Sequence, residues 1–166
     1  RRKTVTSLSS YTEIPDFKEH FELKLIGAVS QEVLQSLDKH LLSNFINYLG
    51  YIPHNEAVAE QRSSQVLLLI EINSPDTRCI IPGKLFEYMV SERPILAIGP
   101  QDSDIEPILK ETNTGSFFLY SEKEKLKTQI LTYYNLYLQN NLKVHAVGLQ
   151  KYSRKNLTRQ LVAFIK

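Results

Sequence analysis

Short apolar runs alternate along the chain with segments whose apolar residues recur at helical spacing, the pattern of a parallel sheet covered by helices. Phe21 to Gly27, Asn44 to Leu49, Val66 to Ile72, Ile95 to Ile98 and Gly115 to Leu119 read as strands. Val66 to Ile72 shows no polar alternation until its end, so it is expected as a central strand buried on both faces. Gly27, Gly50 and Gly99-Pro100 close their strands. Between them, Ser30 is placed to cap a helix whose stripe is Val33, Leu34, Leu37 and Leu41. Asn55 to Ser63 is a short helix, and Pro82 opens another. Ser103 is placed to cap a helix running to about Glu111. Ser121-Glu122-Lys123-Glu124 has the form of a capping box and opens a long helix to about Leu138, followed by a turn at Asn140-Asn141. Ser153 precedes a terminal helix with Leu157, Leu161, Val162 and Ile165 on one side. Thr4 to Tyr11, rich in Ser and Thr, offers a weak opening helix. No internal repeat, low-complexity tract or linker divides the chain. The expected fold is α/β: one Rossmann-like parallel sheet with helices on both faces, forming one domain over residues 1–166.

Composition narrows the class without setting the function. A chain of 166 residues suffices for one well-buried domain, and 42% hydrophobic with 23% charged residues is ordinary for a globular protein. A net charge of +2 gives no argument for nucleic acid as a partner. The single cysteine excludes an internal disulfide and a cysteine-rich metal site, which suits a reducing cytoplasm. The longest aliphatic run, Val66 to Ile70, is far too short to span a bilayer. The chain opens on Arg1-Arg2-Lys3 with no apolar core behind it, so no signal peptide is read, and the basic start without methionine reads as a piece of a longer protein.

The densest chemistry lies between Ile81 and Ala97. Glycine beside Pro82 permits close approach of a ligand to the backbone. Leu85, Phe86, Met89 and Val90 are expected on one face of the helix, and Lys84, Glu87, Tyr88 and Ser91 on the other. A lysine in the first turn adds charge to an end that is already positive, and an anion on the free amides would relieve the conflict. Glu87, three positions further on, is of the right type to accept hydroxyl hydrogen bonds from a sugar. From spacing alone, a solvated Lys84–Glu87 pair explains the same residues.

Glu87-Tyr88-Met89-Val90-Ser91-Glu92-Arg93-Pro94 resembles the donor-site helix of GT-B fold glycosyltransferases, most closely glycosyltransferase family 4. The order of elements is similar to the C-terminal half of such an enzyme over nearly the whole chain, and Tyr152 to Leu157 resembles its closing helix. The resemblance implies a nucleotide-sugar-binding domain, part of an enzyme that moves a sugar from a nucleoside-diphosphate sugar to a glycan or lipid-linked acceptor. It implies that Glu87 holds the donor ribose and that Gly83 and Lys84 hold the diphosphate. Lys3 falls where a family lysine reaches the same diphosphate, although a solvated basic end explains it equally. Tyr51, Ile52 and Pro53 would border the nucleobase, and Cys79, Ile80 and Ile81 the donor sugar. No metal or cofactor is implied. The acceptor domain and the first strand of this half would lie before Arg1. The expected location is the cytoplasm, with a peripheral place at the inner face of the membrane open to the whole protein.

Two residues depart from the family pattern. Cys79 stands eight positions before Glu87, where the family often has a glutamate that contacts the transferred sugar; that contact is absent here or supplied elsewhere. Glu92 stands where the family has glycine, and a left-handed backbone there costs on the order of 1 kcal/mol. Two other functions remain open: a nucleotide-sugar epimerase of the same architecture, and a non-catalytic nucleotide-sugar-binding domain. The catalytic residue, donor base, sugar, acceptor and stereochemical outcome are not set by the resemblance.

Other candidates weigh less. His54 lies near a helix start with no carboxylate to orient it as a base. His20, His40 and His145 lack metal-ligand spacing. Asp102 and Asp104 read as turn and cap residues before they read as cation ligands, and Gly27 and Gly50 serve turn chemistry as readily as ligand contact. Tyr133, Tyr134 and Tyr137 lie at helical spacing and are expected to pack rather than to stack on bases. No P-loop or dinucleotide-binding glycine motif is present.

Overall fold

The computed structural model describes residues 15–40 and 42–165. The elements follow in the order α1 (Pro15–His20), β1 (Leu23–Ile26), α2 (Gln31–Lys39), β2 (Ile46–Gly50), α3 (His54–Ser63), β3 (Leu67–Ile70), α4 (Gly83–Met89), β4 (Ile95–Gly99), α5 (Ile105–Thr112), β5 (Gly115–Leu119), α6 (Lys123–Leu138) and α7 (Arg154–Ile165). Every strand pair is parallel. The protein is an α/β fold of Rossmann-like build. The stretch read as an opening helix, Thr4 to Tyr11, lies outside the described residues, whereas α1 carried no sequence signal that singled it out.

Local chemistry sets most boundaries. The Ser30 hydroxyl accepts the Val33 amide at 3.4 Å, capping α2 as expected. Asn140, at φ 52°, turns the chain after α6, and the Ser153 hydroxyl accepts the Asn156 amide at the start of α7. The capping box at Ser121 does not form. Glu122 occupies the cap position and its carboxylate reaches back to the Leu119 amide at 3.0 Å, at the end of β5. That amide needs an acceptor once the strand ends, and a flexible carboxylate three residues away meets the need.

The core is built around β4, whose residues are all buried. Ile95 and Ala97 face Leu69 of β3 together with Leu85 and Met89 of α4 and Ile105, Ile108 and Leu109 of α5. Leu96 and Ile98 face the other way, against Phe118 of β5 and Leu126 of α6, with Ile130 and Tyr133 packed alongside. Helices therefore cover both faces of the three-stranded sheet β3-β4-β5. Gly115 begins β5 because a Cβ there would lie 2.1 Å from the Ile95 carbonyl oxygen.

Two expectations need correction. The strands form two sheets, β1-β2 and β3-β4-β5, rather than one. β3 is the edge of its sheet, not a central strand; it spans only Leu67–Ile70, and Ile70 is 53% exposed. An unbroken aliphatic run says that apolar surface is available on both sides of a strand, but burial also requires neighbours, which the run does not specify.

Candidate functional site

In open parallel sheets, ligands bind beyond the carboxyl ends of the strands. The best-ordered network in this molecule lies there, at the ends of β3, β4 and β5. The Glu71 amide donates to the Ile98 carbonyl at 2.9 Å and carries the ladder one residue past β3. The Glu71 side chain is only 9% exposed. Its Oε2 accepts the Ser103 hydroxyl at 2.7 Å, and the Ser103 oxygen accepts the amide of Ile105, the first residue of α5. The Tyr120 hydroxyl, just past β5, donates to the Glu71 carbonyl. Gly99 makes the arrangement possible, since a Cβ there would stand 2.2 Å from Glu71 Oε2. Burial pushes the Glu71 carboxyl above the usual carboxylate range; the Ser103 hydrogen bond opposes this and the charge of Asp104 adds to it.

From Glu71 the chain reaches α4 through a braced loop. The Thr77 hydroxyl donates to the carbonyls of Ile72 and Ser74, and the Ser74 hydroxyl accepts the Asp76 amide. The Asp104 amide donates to the Arg78 carbonyl at 2.9 Å, and the Arg78 guanidinium lies 3.7 Å from the Asp102 carboxylate. The loops after β3 and β4 are thus fastened together. Asp102, at φ 62°, and Asp104 serve the turn and the start of α5, in line with the plainer reading of both.

Pro82 takes the cap position of α4 and Gly83 its first helical place. The Gly83 and Lys84 amides, in the first turn, have no acceptor within the helix. Both residues are exposed, Glu87 is half-buried, and no ion pair joins Lys84 to Glu87. The solvated pair suggested by their spacing is not formed. Tyr88 is half-buried against the core, and its hydroxyl is held above its ordinary pKa by burial and by the neighbouring Glu87 carboxylate.

The far end of α4 departs from the helical-face expectation. Leu85 and Met89 are buried, but Val90 is 57% exposed while Ser91 is 7% exposed. The helix ends at Met89 and the chain then turns. The Ser91 hydroxyl donates to the Tyr88 carbonyl and accepts the Arg93 amide, and Glu92 adopts φ 62° between them. The left-handed backbone weighed for Glu92 is therefore present, with a side-chain type poorly suited to it.

The remaining sequence candidates are not drawn together. Cys79 is an exposed free thiol, and Ile80 and Ile81 are exposed in the same loop. Tyr51, 92% exposed, follows β2 with Ile52 and Pro53, and Pro53 caps α3. Among the described residues no hydrogen bond or ion pair connects these three to Gly83, Lys84 or Glu87. Lys3 lies outside the described residues. His54 is the exposed first residue of α3. Tyr133 packs in the core, and Tyr134 meets Phe17 edge-on at 5.0 Å, so this cluster packs as expected. A cavity of about 530 Å³ opens at the other end of α4, lined by Arg62, Arg93, Lys143 and His145 among others. There the Arg93 Nε donates to the Arg62 carbonyl at 2.8 Å, so cations answer the carbonyl ends of helices and no separate ligand is required to explain them. Among the described residues, no group of three His, Cys, Asp or Glu side chains could hold a metal ion, and no helix is long and apolar enough to cross a membrane.

Sequence reasoning missed Glu71, Ser103 as its partner, and Tyr120. The one available signal was a carboxylate placed directly after an aliphatic strand, where ligand-facing residues of such sheets occur.

Comparison with protein-family models gives no match, and comparison with curated proteins gives none. What the fold and site define is an α/β protein of Rossmann-like build whose loops after β3 and β4 are fastened beside the free amides at the start of α4.

Proposed function

We propose that the chain is the donor-binding domain of a glycosyltransferase that moves a sugar from a nucleoside-diphosphate sugar to a glycan or lipid-linked acceptor. The observation that carries the reading is the start of α4. Free amides and an unpaired lysine lie one turn from an unpaired, half-buried carboxylate, beside the carboxyl ends of β3 and β4. The amides of Gly83 and Lys84 would hold the diphosphate, and the Lys84 ammonium would offset charge that grows on the departing phosphate. Glu87 would accept the ribose hydroxyls. Support also comes from the resemblance of residues 87–94 to the family's donor helix. The left-handed Glu92 fits it as well, because glycine is the usual residue at that place in the family. The acceptor site would lie outside residues 1–166, so this chain binds donor without turning it over. The whole enzyme would act in the cytoplasm or at the inner face of the membrane.

One observation favours a second reading. Cys79 is exposed where the family carries a sugar-contacting glutamate, and no carboxylate takes its place in that loop except Asp76. A domain that keeps the nucleotide and has lost transfer would look the same. An epimerase of this architecture would instead form product from the donor without an acceptor.

Titration with UDP, GDP and ADP, followed by backbone amide NMR, tests the reading. Saturable shifts at Gly83, Lys84 and Glu87 with one nucleotide are expected. Glu87→Gln should weaken that nucleotide about tenfold or more, the loss expected for hydrogen bonds to a charged acceptor. Unchanged affinity in that variant would remove Glu87 from the ribose, and shifts confined to other loops would remove the site from α4.

A further inference from the structure

The terminal helix α7 spans Arg154–Ile165, and none of its side chains is buried. Leu157, Leu161, Phe164 and Ile165 recur at the spacing of one helical face, yet they are 44%, 59%, 89% and 77% exposed. Exposure rises towards the end of the helix, so this face turns away from the core that β4 organises. A contiguous apolar stripe left in water marks an interaction surface.

Charge tells what that surface fits. Residues 154–166 hold Arg154, Lys155, Arg159 and Lys166 and no aspartate or glutamate, although the chain as a whole has 20 basic and 18 acidic residues. Arg154, Lys155 and Arg159 enter no ion pair. Lys151, just before the helix, is by contrast tied to Glu111 at 2.6 Å. Lys155 and Arg159 stand four apart on one flank of the apolar stripe, where like charges repel unless an anionic surface lies against them. The uncharged remainder, Asn156, Thr158 and Gln160, adds no acidic counterpart. At 12 residues the helix is about 18 Å long, too short to cross a bilayer but long enough to lie in its surface.

We propose that α7 is a docking helix for an anionic lipid surface. Its apolar stripe would enter the boundary between headgroups and acyl chains, and Lys155, Arg159 and their neighbours would reach the lipid phosphates. A shaped protein groove would have to match both the stripe and an unrelieved row of cations, whereas a lipid surface supplies apolar depth and anionic charge with no fixed shape. The proposal is independent of the donor reading, since it uses no residue of the α4 site.

Sedimentation with vesicles tests it. The protein should pellet with phosphatidylcholine vesicles that contain phosphatidylglycerol, not with phosphatidylcholine alone, and binding should weaken as salt rises. Lys155→Gln with Arg159→Gln should lower the partition constant about 25-fold, on the basis of about fivefold per cation. Leu161→Asp should abolish binding. Neither change touches a buried side chain, so thermal melting should be unchanged, and that control separates lost docking from lost folding. Hydrogen exchange across 157–165 should be fast in solution and slow on the anionic vesicles. Failure to bind either vesicle, or equal binding to both, overturns the proposal. So does slow exchange without vesicles, which would mean that protein already covers the stripe. A dimer in light scattering that Leu161→Asp splits would give the face to a second copy instead.

Discussion

The sheet β3-β4-β5 and the sheet β1-β2 arise from similar sequence and are built to different standards. All of β4 is buried, and helices close over both its faces. In β1 no residue reaches that state, and in β2 Tyr48 and Leu49 stay exposed at 46% and 36%. Ahead of β3 the buried apolar residues among those described are Phe17, Leu37 and Leu42; the other 13 of the 16 follow it. Two parallel strands form little structure alone, since such sheets need cover on both faces. Stability is therefore expected to be concentrated around β4. The candidate site divides along the same line. Glu71, Gly83, Lys84, Glu87 and Ser103 sit on the well-built part, while Tyr51, Ile52 and Pro53 sit on the lighter one.

The sharpest way to test the contrast is at Gly115. Gly115→Ala sets a methyl group 2.1 Å from a backbone oxygen of β4, which cannot swing aside, and should cost about 3 kcal/mol in urea unfolding. Leu85→Ala should cost about 2–5 kcal/mol by opening a cavity in the same core. Leu37→Ala, at a similarly buried position in α2, should cost less than half as much, because few buried neighbours surround it. Equal losses at Leu85 and Leu37 would show that one core serves both sheets. Glu92→Gly acts the other way and should stabilise the protein by about 1 kcal/mol, since glycine adopts φ 62° without a steric penalty. No gain in melting temperature would mean that the Glu92 side chain repays its strain through a contact of its own.

The smallest effect is expected at Glu71 and depends on pH. Its folded carboxyl binds a proton more tightly than the unfolded one, because burial raises its pKa. Between the ordinary carboxylate pKa and that raised value, the folded state holds more protons, so stability contributed by Glu71 falls as pH rises through this window. Glu71→Gln keeps an acceptor for Ser103 and removes the charge. It should melt higher than the wild type at neutral pH, and the difference should shrink towards zero as pH falls to the ordinary carboxylate range. A difference independent of pH would place its origin in packing against Gly99, not in charge.

Much of the fold was legible because its signals are local. Glycine after Leu49 and Gly99-Pro100 end strands where the backbone must turn, and Ser30 and Ser153 cap helices through their own hydroxyls. The capping box at Ser121 failed for a local reason of another kind: a nearer orphan amide, that of Leu119, claimed a carboxylate first. The candidate site was half legible. Proline, glycine and lysine at the start of α4 speak in one short segment, whereas Glu71 and Ser103 stand 32 residues apart and meet only when β3, β4 and α5 come together.

The sequence by itself determined the α/β class, the five strands, most helix starts and the chemistry gathered at Gly83, Lys84 and Glu87, because periodicity and turn chemistry act over a few residues. The tertiary structure decided which strand is central, which apolar stripe stays in water and which carboxylate is buried. Those outcomes depend on neighbours supplied by distant parts of the chain. An aliphatic run, an amphipathic helix or a glutamate reads the same in sequence whether or not such a neighbour arrives.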